Sequence, residues 1–421
     1  MHTRPGTTSA GSPHSAREAA QRGLLAATLF LVPFEVTRIV FEYEGAARGF
    51  GRLVTVAIFD VPLFLLLAFG LPDAVRSWRT RRPAGGVGLL AAMTTLFAAA
   101  LAVHPSLRGV MLVGRLLAAI VVAAVVASLE AREIRRFVVA PVVTAAALQG
   151  VVALSQVISG GTIGLPGEVA RLVAVGDVVR PAGTTSHPYM LATLALVALA
   201  AAVAYGRRTP LWLAGVSLAA IPVGLSFSRA AIVGVGVLAV SWVWGRARLS
   251  SAGRTLAVAA AVGMLAPAIA FSSGWAERVE DVTGADGAPS NRTAQFEQAR
   301  EVIGDHPLVG VGPWLYTVTV ERSYPPGATI GSPVHSVPIV AAAEAGVLAG
   351  LVMLGGLALL GRQAVRSGPA GIAIFGSILG FMLFDVIPYW YPGGLIVFGL
   401  WAGLLDARCH RDGTQIQPAT A

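Results

Sequence analysis

The amino-acid sequence predicts an all-α integral membrane protein with about twelve transmembrane helices. Three observations support this fold class. Of the 421 residues, 55% are hydrophobic and only 13% are charged, which is too apolar for a soluble domain of this length. Apolar runs of roughly 17–25 residues, the length that crosses a bilayer, recur along the whole chain. Short arginine clusters separate many of these runs.

The predicted spans follow one another in a single transmembrane domain that covers residues 23–406. Their bounds are 23–40, 53–71, 86–103, 107–128, 137–158, 188–205, 210–226, 229–245, 255–273, 337–360, 370–388 and 392–406. Residues 1–22 are rich in Ser, Thr, Pro and Gly and are predicted to form a disordered cytoplasmic tail. Residues 407–421 are predicted to form a second cytoplasmic tail.

The arginine distribution gives the predicted orientation. All 31 basic residues are arginine, and clusters at 76–82, 132–136, 206–208 and 361–366 fall on one side of the twelve-span arrangement. Cytoplasmic loops of membrane proteins carry such an excess of positive charge. Both termini are therefore placed in the cytoplasm. The net charge of +9 then reflects topology, and no nucleic-acid partner is expected.

Two loops on the opposite, extracytoplasmic side are long, at about 159–187 and 274–336. Loops of this length on a compact bundle usually carry function or lack order. The second loop precedes the tenth span and contains residues 291–307, whose apolar positions recur at near-helical spacing. This segment is predicted to form an amphipathic helix.

Four side chains on the outer face could act on an anionic substrate: Arg180, Arg229, Arg292 and His335. Arginine forks bind phosphate oxygens in a bidentate way, and a histidine can accept a proton near neutral pH. Arg229 is the most informative, because an arginine at the boundary of two apolar helices usually faces an internal cavity. The alternative is a side chain that reaches the membrane interface. Taken singly, the other two arginines would be solvated loop residues and His335 a capping or interfacial residue.

Three further residues are secondary candidates: His187, His306 and Glu344. Each of the two histidines precedes a proline, one opening a span and the other in a turn, so both rank below His335 as bases. Glu344 follows His335 by nine residues, which is roughly 13 Å along a helix axis and on a different face. We therefore expect Glu344 to pair with a polar group of another helix.

Five charged residues fall inside predicted spans: Glu35, Arg38, Asp60, Arg115 and Asp385. The first two are three residues apart and could pair along one helix. All five are expected to stabilise the bundle or to line its cavity.

The sequence excludes several common chemistries. A single cysteine, Cys409, allows no intramolecular disulfide. The chain contains no P-loop, no Gly-x-Gly-x-x-Gly after a strand, no His-Glu-x-x-His and no His/Cys ligand spacing. Accordingly, neither a metal ion nor a cofactor is predicted.

In their order and context, the outer-face residues resemble the O-antigen ligase / O-antigen polymerase superfamily of bacterial membrane glycosyltransferases. The matching pieces, in chain order, are Arg180-x-x-Gly183, Ser228-Arg229, Arg292 at the start of a loop helix, Pro-Leu-x-Gly-x-Gly at 307–312, and His335 followed by Glu344-x-Gly346. The resemblance is strongest over about 180–350. Two positions depart from it, because Tyr189 and Ser336 stand where the family commonly has asparagine.

The resemblance implies a GT-C-like fold and the transfer of a glycan from an undecaprenyl-diphosphate carrier without a metal ion. It places the reaction on the outer face of the cytoplasmic membrane, in cell-surface polysaccharide assembly. Arg180 and Arg229 would hold the diphosphate, and Arg292 would share this role or stabilise charge on the leaving group. His335 would take the proton from the acceptor hydroxyl. The implied partners are the lipid-linked donor, the bilayer, and a glycan, glycolipid or other hydroxyl-bearing acceptor.

Three alternatives stay open at this point. A repeat-unit polymerase of the same superfamily would use the same donor but a lipid-linked repeat as acceptor. A different glycosyltransferase could use an acidic base in the first outer loop, where Glu42 and Glu44 lie. A glycolipid transporter or flippase could line its pathway with the arginines, although the paired inverted repeats common in transporters are not found in this sequence.

Overall fold

A computed structural model of the chain describes residues 13–42, 53–80, 85–166, 172–175, 177–245, 250–276, 288–323 and 333–415. Over these ranges the protein is all-α, with two small antiparallel β-hairpins. This architecture agrees with the predicted fold class.

The helices and strands have the following bounds. The helices are α1 (Pro13–Leu31), α2 (Asp60–Thr80), α3 (Gly85–Val103), α4 (Leu107–Ser128), α5 (Ala131–Ser159), α6 (Pro188–Tyr205), α7 (Pro210–Leu225), α8 (Arg229–Gly245), α9 (Ser251–Ala270), α10 (Ala288–Asp305), α11 (Tyr316–Ser323), α12 (Val337–Ala345), α13 (Val347–Arg366), α14 (Gly368–Phe384), α15 (Ile387–Trp390) and α16 (Pro392–Gln415). The strands are β1 (Thr37–Glu42), β2 (Leu53–Ala57), β3 (Val173–Val175) and β4 (Val178–Arg180), paired β1–β2 and β3–β4. A π-helical stretch interrupts α5 at Ile134–Val139.

Within the described residues, six helices are long and apolar enough to cross a membrane: α3, α4, α5, α6, α9 and α13. Shorter apolar helices occur at Asp60–Pro72, Pro210–Leu225, Arg229–Val243 and Gly368–Phe384. Together these helices overlap the predicted spans from the second to the eleventh. The protein therefore has the helices of an integral membrane protein, and the number of twelve spans stays a prediction.

The N-terminal part differs from the prediction. α1 begins at Pro13, inside the predicted disordered tail, and ends at Leu31, before a proline at position 33. The β-branched residues that follow pair as the antiparallel β1–β2 hairpin, since such residues fit a pleated strand better than a helix. Arg38 consequently lies in a strand and Glu35 in the segment before it, so the predicted pairing along one helix is wrong.

Two other boundaries also move. α2 begins at Asp60 and not at 53, because residues 53–57 form β2. α16 continues to Gln415, past the predicted start of the C-terminal tail at 407.

The predicted tenth span, 337–360, consists of two helices. Gly346 separates α12 from α13 with φ +89° and ψ 164°, a backbone conformation that ends a helix and that favours glycine. A Cβ built on Gly350 would lie 2.8 Å from Ala342 Cβ and 2.9 Å from the Pro338 carbonyl oxygen. α12 therefore folds back along α13, and α13 alone supplies a long apolar helix here.

The core centres on α6, where 83% of the 18 residues are buried inside the protein. It packs against α5, α7, α9 and α14. α8 also packs closely along α14, where a Cβ on Gly380 would collide with the Ala230 carbonyl oxygen. Small residues permit such close approach between helices in lipid. This pairing brings the first residue of α8 beside the last residue of α14.

Candidate active site

A cavity of about 230 Å³ lies where the start of α8 meets the end of α14. Its lining combines charged, hydroxyl, aromatic and aliphatic side chains, namely Tyr189, Ser228, Arg229, Ala230, Val233, Arg292, Phe384 and Asp385. Residues from α6, α8, α10 and the end of α14 therefore meet at one place. Two of the three predicted arginines, Arg229 and Arg292, share this cavity.

A sharp turn from α7 places Arg229 at the cavity as the first residue of α8. Within this turn, Ser226 Oγ accepts the Ser228 N–H at 3.3 Å, and Phe227 adopts φ +47°. Phe227 is fully buried and packs edge to face on Trp275, with ring centroids 5.4 Å apart. Ser228 Oγ caps the start of α8 by accepting a backbone N–H. The packed turn thus fixes the direction in which Arg229 leaves the backbone.

Arg180 ends β4 and is only 7% exposed. Its Nε and Nη2 atoms donate to the Ser226 carbonyl at 3.2 and 3.0 Å. Its guanidinium lies 4.6 Å from the centroid of the Tyr189 ring, within the range of a cation–π interaction. Arg180 therefore stands behind the Tyr189 wall of the cavity and ties the segment before α6 to the turn before α8.

Arg292 lies near the start of α10, half-buried, and lines the cavity together with Asp385. Asp385 is 3% exposed, and its Oδ1 accepts the Val386 N–H at 2.7 Å. Both Arg292 and Arg180 interact electrostatically with this carboxylate. Three arginines against one carboxylate leave an excess of positive charge, which suits a substrate with more than one negative charge.

His335 lies directly before α12, and its Nδ1 is 2.8 Å from Oε1 of Gln295 on α10. An amide oxygen can only accept, so this bond assigns the proton to Nδ1 and leaves the Nε2 lone pair available. Burial and the nearby charge of Arg292 lower the pKa of His335 to about 4. The ring is therefore neutral at physiological pH and can accept a proton at Nε2.

His187 caps α6, because its Nδ1 accepts the Tyr189 N–H at 3.2 Å. Its ring centroid lies 4.7 Å from that of Tyr189 and 6.0 Å from that of Tyr391. Burial, Arg180 and His335 lower the pKa of His187 to about 3. The two histidines thus lie near each other, but the Nδ1 lone pair of His187 is already used by the cap.

Glu344 and His306 lie outside the cavity lining. Glu344 is fully buried and accepts from the Trp314 N–H at 2.9 Å, the Tyr316 N–H at 3.3 Å and the Tyr389 hydroxyl. These are polar groups of other elements, as predicted, and they let Glu344 hold the start of α11. His306 is exposed at the end of α10.

The remaining charged candidates have other positions. Glu42 ends β1, and Glu44 lies outside the described residues. Asp60 and Arg115 form a buried ion pair with 3.2 Å between Oδ2 and Nη2, which fits the structural role expected for them.

One residue of the site was not identified from the sequence. Gln295 follows Arg292 by three residues and so lies near it on one helix face. Asp385 was expected either to stabilise the bundle or to line its cavity, and it lines the cavity. Tyr189, known from the sequence only as a departure, forms a wall of the cavity.

The arrangement can bind a multiply charged anion and accept a proton from a nearby hydroxyl. Among the described residues, no three His, Cys, Asp or Glu side chains form a group that could hold a metal ion.

Comparison with known families locates a match in the central part of the chain. Residues 214–354 match the sequence model of a family described as O-antigen ligase. The matched range includes Arg229, Arg292 and His335, whereas Arg180 and His187 precede it. No curated protein matches the chain. The match supports the O-antigen ligase superfamily that the motifs resemble.

Proposed function

With an O-antigen ligase region at residues 214–354, we propose that this protein is a membrane glycosyltransferase. It moves a glycan from an undecaprenyl-diphosphate carrier to an acceptor hydroxyl on the outer face of the cytoplasmic membrane. One observation carries the proposal: Arg229 and Arg292 line one cavity, and His335, which is not in the lining, bonds to Gln295 on the helix that carries Arg292.

The arginines supply the donor site in this proposal. Arg229 and Arg292 bind the diphosphate oxygens in the cavity, and Arg180 adds positive charge from behind Tyr189. Val233 and Phe384 give the cavity an apolar side between α8 and α14, where the first isoprene units of the carrier fit. This charge compensation can replace a metal ion, because the leaving group is already a lipid diphosphate.

Transfer is a single displacement at the anomeric carbon. The acceptor oxygen forms the new bond to that carbon as the bond to the diphosphate oxygen breaks. The acceptor proton passes to Nε2 of His335, and Gln295 keeps the ring oriented through Nδ1. The lipid diphosphate leaves with its additional charge stabilised by Arg292.

With a pKa of about 4, His335 is a weak base in the free protein. In the proposed complex, the bound donor raises this pKa. Part of the lowering comes from the positive charge of Arg292. A bound diphosphate offsets that charge, so the pKa of His335 rises when the donor is in place. The base becomes stronger only when the reaction is possible.

The acceptor decides between a ligase and a polymerase. Purified full-length protein in nanodiscs is supplied with undecaprenyl-diphosphate oligosaccharide, with and without a second hydroxyl-bearing acceptor. A ligase transfers the glycan only to the second acceptor. A polymerase lengthens the lipid-linked oligosaccharide without one.

Variants in the same assay test the assigned roles. His335→Ala should lower the transfer rate at least 100-fold, and Arg229→Ala should weaken donor binding. His306→Ala, which changes an exposed histidine, is the matched control and should transfer at the wild-type rate.

Full activity of His335→Ala would show that His335 is not the base. Loss of activity in Glu42→Gln would then favour a glycosyltransferase with an acidic base. Movement of intact donor across the bilayer without transfer would favour a flippase.

A further inference from the structure

The segment between β4 and α6 is held by side chains that the proposed chemistry does not use. It runs from Arg180 to His187, and its central residue, Gly183, faces α5. Gln156 Nε2 donates to the Gly183 carbonyl at 2.8 Å, and Gln156 Oε1 accepts the Gly183 N–H at 2.9 Å. Both ends of one side-chain amide thus bond to the backbone of one residue.

A second glutamine also bonds through both ends of its amide to one residue, here to the backbone N–H and the side-chain hydroxyl of Thr184. Gln149 Oε1 accepts the Thr184 N–H at 2.9 Å, and Gln149 Nε2 donates to Thr184 Oγ1 at 2.6 Å. Gln149 and Gln156 are seven residues apart on α5, about two turns, so they lie on the same helix face. A carboxylate extends the series, because Glu35 Oε2 accepts the Ser186 N–H at 2.6 Å. We refer to Gln149 and Gln156 as the clamp.

The clamp places two polar side chains in the protein interior, which is unfavourable unless their hydrogen bonds are made. Both glutamines are 0% exposed in a helix that is otherwise largely apolar. A buried polar group without a partner destabilises the folded state, and aliphatic side chains would avoid this risk. The clamp also explains a motif glycine. Gly183 has φ +62°, and a Cβ there would collide with Gln149 Oε1.

The residues at the ends of the clamped segment belong to the site. On one side, Arg180 bonds to the Ser226 carbonyl and stacks on Tyr189. On the other side, His187 caps α6. A displacement of about 1 Å in such positioning residues can lower a reaction rate roughly 100-fold. A fixed position of this segment therefore fixes the positions of Arg180 and Tyr189 at the cavity wall.

We propose that Gln149 and Gln156 are positioning residues, which set the placement of Arg180 and Tyr189 at the donor cavity. This inference rests on the proposed function, because the diphosphate site is what that placement serves. The glutamines act through the backbone of the segment and do not touch the substrate.

Leucine variants of three glutamines test the proposal. Gln149→Leu and Gln156→Leu remove the clamp. Gln21→Leu is the matched control, because Gln21 is also buried and its Nε2 donates to a backbone carbonyl, that of Phe69, at 2.8 Å. All three should lower the melting temperature. Only the clamp variants should raise the KM for undecaprenyl-diphosphate oligosaccharide about tenfold or more, with a smaller change in kcat. Gln156→Glu, which keeps the acceptor for Gly183, should fall between wild type and Gln156→Leu.

Hydrogen–deuterium exchange gives a readout that does not need activity. The peptide covering residues 180–187 should exchange faster in the two clamp variants and at the wild-type rate in Gln21→Leu. Unchanged exchange, an unchanged donor KM in the clamp variants, or an equal rise of KM in Gln21→Leu overturns the proposal. A wild-type protein that transfers no glycan would instead overturn the proposed function, and the exchange measurement would still decide the clamp.

Discussion

Arg292 and His335 come from different parts of the chain, yet the charge of Arg292 adds to the effect of burial in lowering the pKa of His335. Gln295 joins them, since it shares α10 with Arg292 and bonds to Nδ1 of His335. The same helix therefore carries both the group that lowers the pKa of the histidine and the group that selects its tautomer. In the proposed reaction, these three side chains act together.

The acid limb of the pH–rate profile follows from this pair. In the proposed mechanism transfer needs neutral His335, whose pKa is lowered to about 4 by burial and by Arg292. In wild type, the decline in kcat/KM that is due to protonation of His335 should lie near pH 4. Arg292→Gln removes one cause of the lowering, so its decline should begin at a higher pH.

The control for this experiment is Arg300→Gln, which removes an exposed arginine from the same helix. Its acid limb should coincide with that of wild type. Acid limbs that coincide in all three proteins would show that Arg292 does not set the protonation of His335. Tryptophan fluorescence at each pH verifies that the proteins remain folded.

At the scale of elements, the fold-back of α12 on α13 joins the parts of the candidate site that carry Arg292 and His335. The turn after α10 bonds to it, because the Val347 N–H donates to the Pro307 carbonyl at 2.9 Å and the Val311 N–H donates to the Ala343 carbonyl at 2.9 Å. Gly346 makes the fold-back possible through its φ of +89°. This junction links α10, which carries Arg292, to α12, which follows His335.

Substitution of Gly346, which is buried at the junction of α12 and α13, should destabilise the protein. In Gly346→Ala the new Cβ would meet the Leu308 carbonyl oxygen, and the backbone conformation is strained for alanine by roughly 1–3 kcal/mol. The melting temperature in detergent should therefore fall clearly. Gly355→Ala on α13 is the control, because a Cβ there meets nothing within 4 Å and alanine favours a helix. Equal melting temperatures for the two variants would contradict this account of the junction.

At the scale of the whole molecule, an apolar bundle must place its charges by membrane side. The arginine clusters predict that the ends of the chain face the cytoplasm and that the cavity faces outward. Arg229 is one of the arginines predicted on the outer side, against the charge rule, and it lines the cavity.

Cysteine labelling tests this orientation. Cys409→Ser removes the single native thiol. Leu308→Cys and Leu211→Cys then introduce thiols at positions that are 84% and 82% exposed. A membrane-impermeant maleimide added to intact cells should label position 308 at once and position 211 only after permeabilisation. The reverse pattern would invert the predicted topology.

The sequence by itself predicted an all-α membrane protein, most helix positions and the candidate site residues. Span length depends on bilayer thickness, and loop charge depends on membrane side, so both can be predicted from the sequence. The bounds of α4 and α6 match the predicted spans because each is a single helix that is apolar over most of its length. The match to the O-antigen ligase family covers Arg229, Arg292 and His335 for the same reason, since motifs are local.

Only the tertiary structure decided which residues meet. The Gly346 fold-back depends on a backbone conformation that an alanine-rich run does not reveal. The partners of Glu344 and His335 lie 28 to 45 residues away in the chain, on other elements, so spacing could not predict them. The roles of Gln149 and Gln156 depend on a loop that follows their helix, because a buried amide is explained only by the groups it bonds to.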